Sequence, residues 1–233
     1  MKRQIKISAS IMCADLFNLR DDIILLDKAK IDLLHVDIMD GCFVPNITLG
    51  FDLANQLSNI STLPKEVHLM MSKPDVFLDR IVVFPSDTII FHIETCNRPN
   101  NLINLIRKKN CRIGVALNPL TPVKSIKKIL SKIDLLLIMT VTPGFPGQAF
   151  IDLMVDKVRE ASHLGLKINQ NMDIEVDGGL TKQRIKQLYK IGANVFVAGT
   201  STIFKDRNLE KNIQDLRSFT AKLETGPVVI EKN

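Results

Sequence analysis

The sequence predicts an α/β protein, a closed (β/α)8 TIM barrel. Three observations lead there. Eight short β-rich runs alternate with longer segments of helical period, and no linker or low-complexity stretch interrupts them. Strands alternating with helices imply parallel pairing and right-handed crossovers. Eight such units in 233 residues suit a closed barrel, typically about 250 residues, better than an open sheet. The absence of a Gly-x-Gly-x-x-Gly turn after the first run also weighs against a dinucleotide fold. One barrel domain over residues 1–224 is expected, followed by a tail at 225–233 whose Val-Val-Ile either docks on a partner subunit or stays loose.

In order, the runs are IKISASI (5–11), LLHVDI (33–38), KEVHLM (65–70), TIIFHIE (88–94), RIGVALN (112–118), LLLIMT (135–140), DIEVD (173–177) and NVFVAG (194–199). Apolar positions of period 3.6 mark helices at 15–29, 75–84, 99–109, 122–132, 152–165, 182–191 and 208–223. Gly226-Pro227 ends the last of these, and the second helix, near 51–57, is only weakly signalled.

Composition narrows the function. About 45% of residues are hydrophobic, no apolar run is long enough to span a membrane, and no signal segment opens the chain, so a cytoplasmic protein is expected. The formal charge of +6 is scattered rather than clustered. With no Trp and one Tyr, stacking platforms for nucleic acid are missing. Neither a nucleic-acid nor a membrane partner is expected. Cys13, Cys42, Cys96 and Cys111 form no zinc-ribbon or C-x-x-C pattern and read as reduced thiols, as buried small hydrophobes rather than a reactive group.

Side-chain alternation locates the site. Barrel strands are buried on both faces, and successive residues point to opposite sides. In LLHVDIM, His35, Asp37 and Met39 share one face and Leu34, Val36 and Ile38 the other. The apolar set meets the helices, so the polar set faces the barrel axis. The same test turns His68 and Met70, Glu175 and Asp177, and Ser8 and Ser10 inward. His35, Asp37, His68 and Asp177 approach the C-terminal ends of their strands, where barrel active sites are built. Two imidazoles and two carboxylates on three strands suit a divalent first-row metal, which would offset the cost of burying the carboxylates. Any one of them alone is better read as a satisfied core residue. His92 and Glu94 also point inward, either pairing with each other or reaching a polar layer beneath the site, and they read as structural. His163 falls on a helix and reads as a surface residue.

Glycine turns suggest a phosphate. TPGFPGQ (142–148) follows the sixth run, DGG (177–179) the seventh and AGTS (198–201) the eighth. Glycines let backbone N–H groups approach an oxyanion, and the loops after the last strands are the recurrent phosphate site of this fold. No lysine lies at the C-terminal end of a strand, which disfavours Schiff-base chemistry.

Over residues 5–204 the stretches SASI, HVDIMDGCFVPNITLG, VHLMMSKP, FHIE, GVALNPLTP, MTVTPGFPGQAFI, EVDGG and VFVAGTS together resemble the ribulose-phosphate 3-epimerase family. The resemblance implies a barrel of the ribulose-phosphate-binding type. It implies one divalent metal (Zn, Fe, Mn, Co or Mg) held by His35, Asp37, His68 and Asp177, with Asp37 and Asp177 as the acid/base pair. Substrate is contacted by Ser10 and His68, and the phosphate by Gly144, Phe145, Pro146, Gly147, Gly178, Gly179, Gly199 and Thr200. Met39, Met70 and Met139 line the reaction cavity. The partners implied are a phosphorylated ketose and further copies of the chain. Cys42, Ala9 and Pro146 depart from the family pattern of His, Pro and Gly, and none of these removes a ligand. The activity implied is interconversion of D-ribulose 5-phosphate and D-xylulose 5-phosphate. SIMCADL (10–16), HIET (92–95) and FVAGTSTIF (196–204) look closer to the branch acting on D-allulose 6-phosphate and D-fructose 6-phosphate. More remote readings are a metal-dependent sugar-phosphate lyase or decarboxylase and a non-catalytic sugar-phosphate sensor.

Overall fold

A computed structural model describes residues 3–225. The strands are β1 (Lys6–Ser10), β2 (Leu33–Asp40), β3 (Ile47–Thr48), β4 (Lys65–Met70), β5 (Thr88–His92), β6 (Arg112–Leu117), β7 (Leu135–Met139), β8 (Asp173–Asp177) and β9 (Val195–Ala198). Eight of them pair in parallel in the order β1-β9-β8-β7-β6-β5-β4-β2, and pairing of β1 with β2 closes the barrel. β3 is the exception. It folds back antiparallel on the end of β2, extending that strand above the mouth. All eight predicted runs became barrel strands.

Six α-helices lie outside: α1 (Leu19–Lys28), α2 (Gly50–Gln56), α3 (Pro99–Lys108), α4 (Met154–Ile168), α5 (Lys182–Lys190) and α6 (Leu209–Thr225). Val36, Val67, Phe91, Val115 and their neighbours on the outward faces of the strands join the helices in one apolar layer. Two predicted helices are corrected. Residues Pro74–Arg80 form a 3-10 helix, and the 122–132 segment breaks into two short 3-10 turns, Val123–Ile126 and Leu130–Lys132. In the second case Val123, Ile126, Ile129 and Leu130 are all buried, so the apolar spacing that predicts a helix is met by two separate turns. Thr225 belongs to α6, not to a tail. The expected Gly226-Pro227 stop and the Val-Val-Ile segment lie outside the described residues.

The barrel interior is divided. Ile90, Ala116, Leu135, Leu137 and Met139 form an apolar cluster on one side. The inward positions of β1, β2, β4 and β8 are instead polar: Ser8, His35, Asp37, Glu66, His68 and Glu175 are all buried. Burying so many polar groups is costly without partners, which directs attention to the mouth above them.

Candidate active site

Register brings the polar residues together. β2 and β4 pair so that Asp37 lies beside His68 and His35 beside Glu66. β1 places Ser10 beside His35. β8 enters from the far side, three strands around the barrel from β2 through β1 and β9. One donor atom from each of His35, Asp37, His68 and Asp177 lies within 4.8 Å of the others. His35 Nε2 is 3.3 Å from Asp37 Oδ1 and 4.0 Å from Asp177 Oδ2. His68 Nδ1 is 2.9 Å from Asp37 Oδ1 and 3.2 Å from His35 Nε2. Ser10 Oγ reaches Asp37 Oδ2 at 3.4 Å.

The donor set fits a divalent cation. The back of the His35 ring faces two buried carboxylates, with Nδ1 3.3 Å from Glu175 Oε1 and 3.6 Å from Glu66 Oε2. Acceptor oxygens there favour the ring proton at Nδ1, and with a cation in place of a proton between His35 Nε2 and Asp37 the Nε2 lone pair would face the four-residue cluster. Ser8 Oγ donates to Glu66 at 2.5 Å, while Glu66 Oε1 and both oxygens of Glu175 have no hydrogen-bond partner among the described residues. His35, Glu66 and Glu175 also form a second convergent donor group. A neutral imidazole has one lone pair, so His35 cannot serve both groups that way, and Glu66 and Glu175 are better placed to support its ring. Neither was singled out from the sequence as part of the site. The signal for Glu66 was there, since it lies two residues before His68 on the same strand face.

Electrostatics separate the two aspartates. Burial works against the Asp37 carboxylate, but His35 and His68 outweigh it and hold the group well below the usual range. Burial pushes Asp177 up to about 7; His35 offsets part of that rise, and Asp37 and Glu66 add to it. Burial also disfavours a cation on His35, yet Asp37, Glu175 and Glu66 raise it well above its ordinary value. Burial lowers His68 to about 4, with Asp37 opposing and His92 and His35 assisting. Beside this pair, burial opposes ionisation of Glu94, but His92, Thr121 and the Asn118 N–H hold it at about 2.

Above the cluster opens a cleft. Asp37 and Asp177 form part of its floor, and Met39, Met70 and Met139 line it together with Ser10. Met12 and Cys13 line it too; both sit on the turn after β1, where no strand alternation could have placed them. Its far wall is the glycine-rich rim, with Gly144, Phe145, Pro146, Gly147, Gly178, Gly179, Gly199 and Thr200 all present. The glycines at 178 and 179 have φ of +117° and +62°. A Cβ on Gly178 would lie 2.4 Å from Val141 Cγ2, and one on Gly179 would lie 2.6 Å from the Phe150 backbone nitrogen. Only glycine permits this close turn. Asn46 Nδ2 donates to Gly144 O at 2.7 Å, tying the loop after β2 to this rim.

Asp40 stands apart from the chemistry. Its Oδ1 accepts from the N–H groups of Cys42 and Phe43, and its Oδ2 from Ser72, so it shapes the loop, as its position after the strand suggests. Cys42 is exposed, and Cys13, Cys96 and Cys111 are partly exposed, which corrects the expectation that all four are buried. Cys42 occupies a loop tip whose backbone, not its thiol, is held by Asp40. His163 is exposed.

A family model described as the ribulose-phosphate 3 epimerase family matches residues 6–204. A ribulose-phosphate 3-epimerase of Bacillus subtilis is 37% identical over 214 residues, covering 91% of this chain and 98% of that protein. One from Methanocaldococcus jannaschii is 39% identical over 213 residues, covering 91% and 90%. Among solved structures, thiamine phosphate pyrophosphorylase from Pyrococcus furiosus superposes with a TM-score of 0.62 at 13% identity, covering 95% of this chain and 98% of that one. Orotidine 5'-monophosphate decarboxylase from M. jannaschii gives 0.62 at 9% identity, covering 94% and 99%. At such identities these structures share the fold alone.

Proposed function

The chain belongs to the ribulose-phosphate 3-epimerase family, and from that premise we propose that it interconverts D-ribulose 5-phosphate and D-xylulose 5-phosphate by inverting C3. It is then an isomerase acting on a phosphorylated ketose. The names of its relatives favour the pentose over the hexose phosphate.

The chemistry sets the requirements. Removing the C3 proton beside the C2 carbonyl gives a planar enediolate, too basic to form unaided. Inversion needs one proton carrier on each face of that plane. Asp37 and Asp177 enter the mouth from strands well separated around the barrel, and this is the observation that carries the proposal. Asp37 takes the proton and Asp177 delivers one to the opposite face; the return reaction exchanges their roles. His35 and His68 keep Asp37 ionised, as the base of the first step must be. His35, Asp37, His68 and Asp177 would hold one divalent metal, which when bound supplies Lewis-acid stabilisation of the enediolate oxygens. Zn, Fe, Mn, Co and Mg are all compatible with the donors.

The other groups bind and enclose. The N–H groups of the glycine rim receive the phosphate and fix the distance from it to C3. Met39, Met70 and Met139 give the reacting face an apolar, polarisable lining that keeps bulk water from protonating the intermediate. Ser10, bonded to Asp37, stands where a substrate hydroxyl would approach. A cytoplasmic homo-oligomer without nucleic-acid or membrane partners completes the proposal. No described helix is long and apolar enough to cross a membrane, and light scattering of the purified protein reads the oligomeric state.

The test is an assay of the metal-loaded protein in D2O with both pairs of sugar phosphates. Deuterium at C3 of both pentose epimers, without carbon–carbon cleavage, is expected. Faster turnover of D-allulose 6-phosphate would move the protein to the hexose branch. Cleavage products would indicate a lyase, and binding without exchange a sensor.

A further inference from the structure

His92 and Glu94 lie outside the four-residue cluster, yet a line of contacts running from the buried His68 to the surface joins them to it. His68 turns Nδ1 into the cluster, and its Nε2 points the other way, 2.9 Å from Nε2 of His92. His92 Nδ1 lies 3.2 Å from Glu94 Oε2, and Glu94 Oε1 accepts the backbone N–H of Asn118 at 2.8 Å. Both imidazoles are fully buried, so these neighbours are the partners their ring nitrogens must use. Phe43, from the loop after β2, packs against His92 with ring centroids 4.8 Å apart and fixes its plane.

Protons in this chain have a preferred order. A carboxylate accepts only, so the Glu94 oxygen facing His92 calls for a proton on His92 Nδ1. A neutral His92 then presents a lone pair at Nε2. That lone pair is satisfied only if His68 carries its proton at Nε2. The lone pair of His68 is then on Nδ1, where a bound cation would replace the proton that Asp37, 2.9 Å away, otherwise calls for. A charged His92 would do the reverse, donating to His68 and forcing the proton onto the nitrogen that faces Asp37.

We infer that His92 and Glu94 are positioning residues that hold His68 in the tautomer whose Nδ1 binds the divalent metal. The inference rests on the proposed metal reading and adds to it a chain of three side chains from a ligand to the backbone of the loop after β6. Glu66 and Glu175 face His35 in the corresponding way on the other side. Partners of this kind typically alter metal affinity by about 10–100-fold.

The test uses the zinc-loaded full chain with 15N-labelled histidine, together with zinc dissociation constants measured by chelator competition. In the wild type, N–H protons at His68 Nε2 and His92 Nδ1 are expected, both slow to exchange. His92→Phe keeps a ring against Phe43 but cannot accept from His68, so zinc should bind about 10–100-fold more weakly. His92→Gln, whose side-chain carbonyl accepts a proton, should recover most of that loss, which a purely packing role would not predict. Glu94→Leu is the second variant, on a side chain that reaches the surface, and should also weaken zinc. Unchanged affinity in both His92→Phe and Glu94→Leu, or a zinc-loaded His68 protonated at Nδ1, overturns the inference. Should the wild type take up no zinc, the metal reading is what fails. The relay then falls with it, because without an ion Asp37, 2.9 Å from His68 Nδ1, itself calls for a proton there.

Discussion

At the base of the barrel, Asp173 meets Lys6 at 2.8 Å and Arg112 at 2.6 Å, and Asn194 donates to its other oxygen at 2.7 Å. Lys65 pairs with Asp87 at 3.0 Å at the same end of the barrel. At the mouth, Asp37 pairs with His35 and His68, and Asp177 faces His35, whose other ring nitrogen faces Glu66 and Glu175. Both ends bury charge, but only the base balances it with permanent cations and completes its hydrogen bonds. The mouth leaves carboxylate oxygens unpartnered and points lone pairs at a common centre. Matched charge holds a fold together; unmatched charge in one cleft marks a place where a cation and a reaction belong.

The largest contrast between the ends comes from removing metal. Chelation should abolish epimerase turnover, and restoring one equivalent of zinc, manganese or cobalt should return it. Circular dichroism should show the fold retained, because the base and the apolar layer do not depend on the ion. Loss of structure along with activity would erase the distinction between the two ends.

Asp173→Ala attacks the base instead. It strands Lys6 and Arg112, which are partly exposed and so partly solvated, and should cost about 2 kcal/mol of stability. Turnover per folded molecule should stay within about twofold, since substitutions this far from a site act nearly independently of it. Urea unfolding together with steady-state kinetics reads both.

The smallest effect is the pH dependence, where the two ends have opposite signs. Asp173 is lowered: burial opposes this, but Lys6, Asn194 and Arg112 prevail, so its contribution is present above its ordinary value of 3.8 and is lost as pH falls. Asp177 is raised from 3.8 to about 7, so the folded chain binds its proton more tightly than the unfolded chain does. Its contribution is present at low pH and is lost as pH rises through about 7. Metal must displace that proton, and zinc affinity should therefore climb with pH up to about 7 at least. Urea midpoints of the metal-free and zinc-loaded protein across pH 4–8 test this. The metal-free midpoint should fall toward the upper end of that range, and zinc should reverse the fall.

Legibility in the sequence followed locality. The eight strands could be read because each is a short apolar run between helices. Within a strand, alternation alone turns His35, Asp37, His68 and Asp177 inward, and closure of the barrel then brings them together. Glu66 shares a strand face with His68, but its tie to His35 runs through a register that no single run reveals. Met12 and Cys13 reach the cleft from a turn, where side-chain direction has no fixed period. The buried Val123, Ile126, Ile129 and Leu130 have the spacing of an amphipathic helix, so the break into two 3-10 turns is not written in their period.

The central claim is that Asp37 and Asp177 serve opposite faces of one intermediate. The direct measurement is C3 hydrogen exchange in D2O for metal-loaded Asp37→Asn and Asp177→Asn, each supplied separately with D-ribulose 5-phosphate and D-xylulose 5-phosphate. Each variant should lose interconversion by about 10³-fold, within the usual range for a positioned acid or base. Each should keep slow exchange on a single epimer, a different one for each variant, because one face still has its carboxylate. Near wild-type interconversion by either variant, or exchange of the same epimer by both, would contradict the two-face assignment.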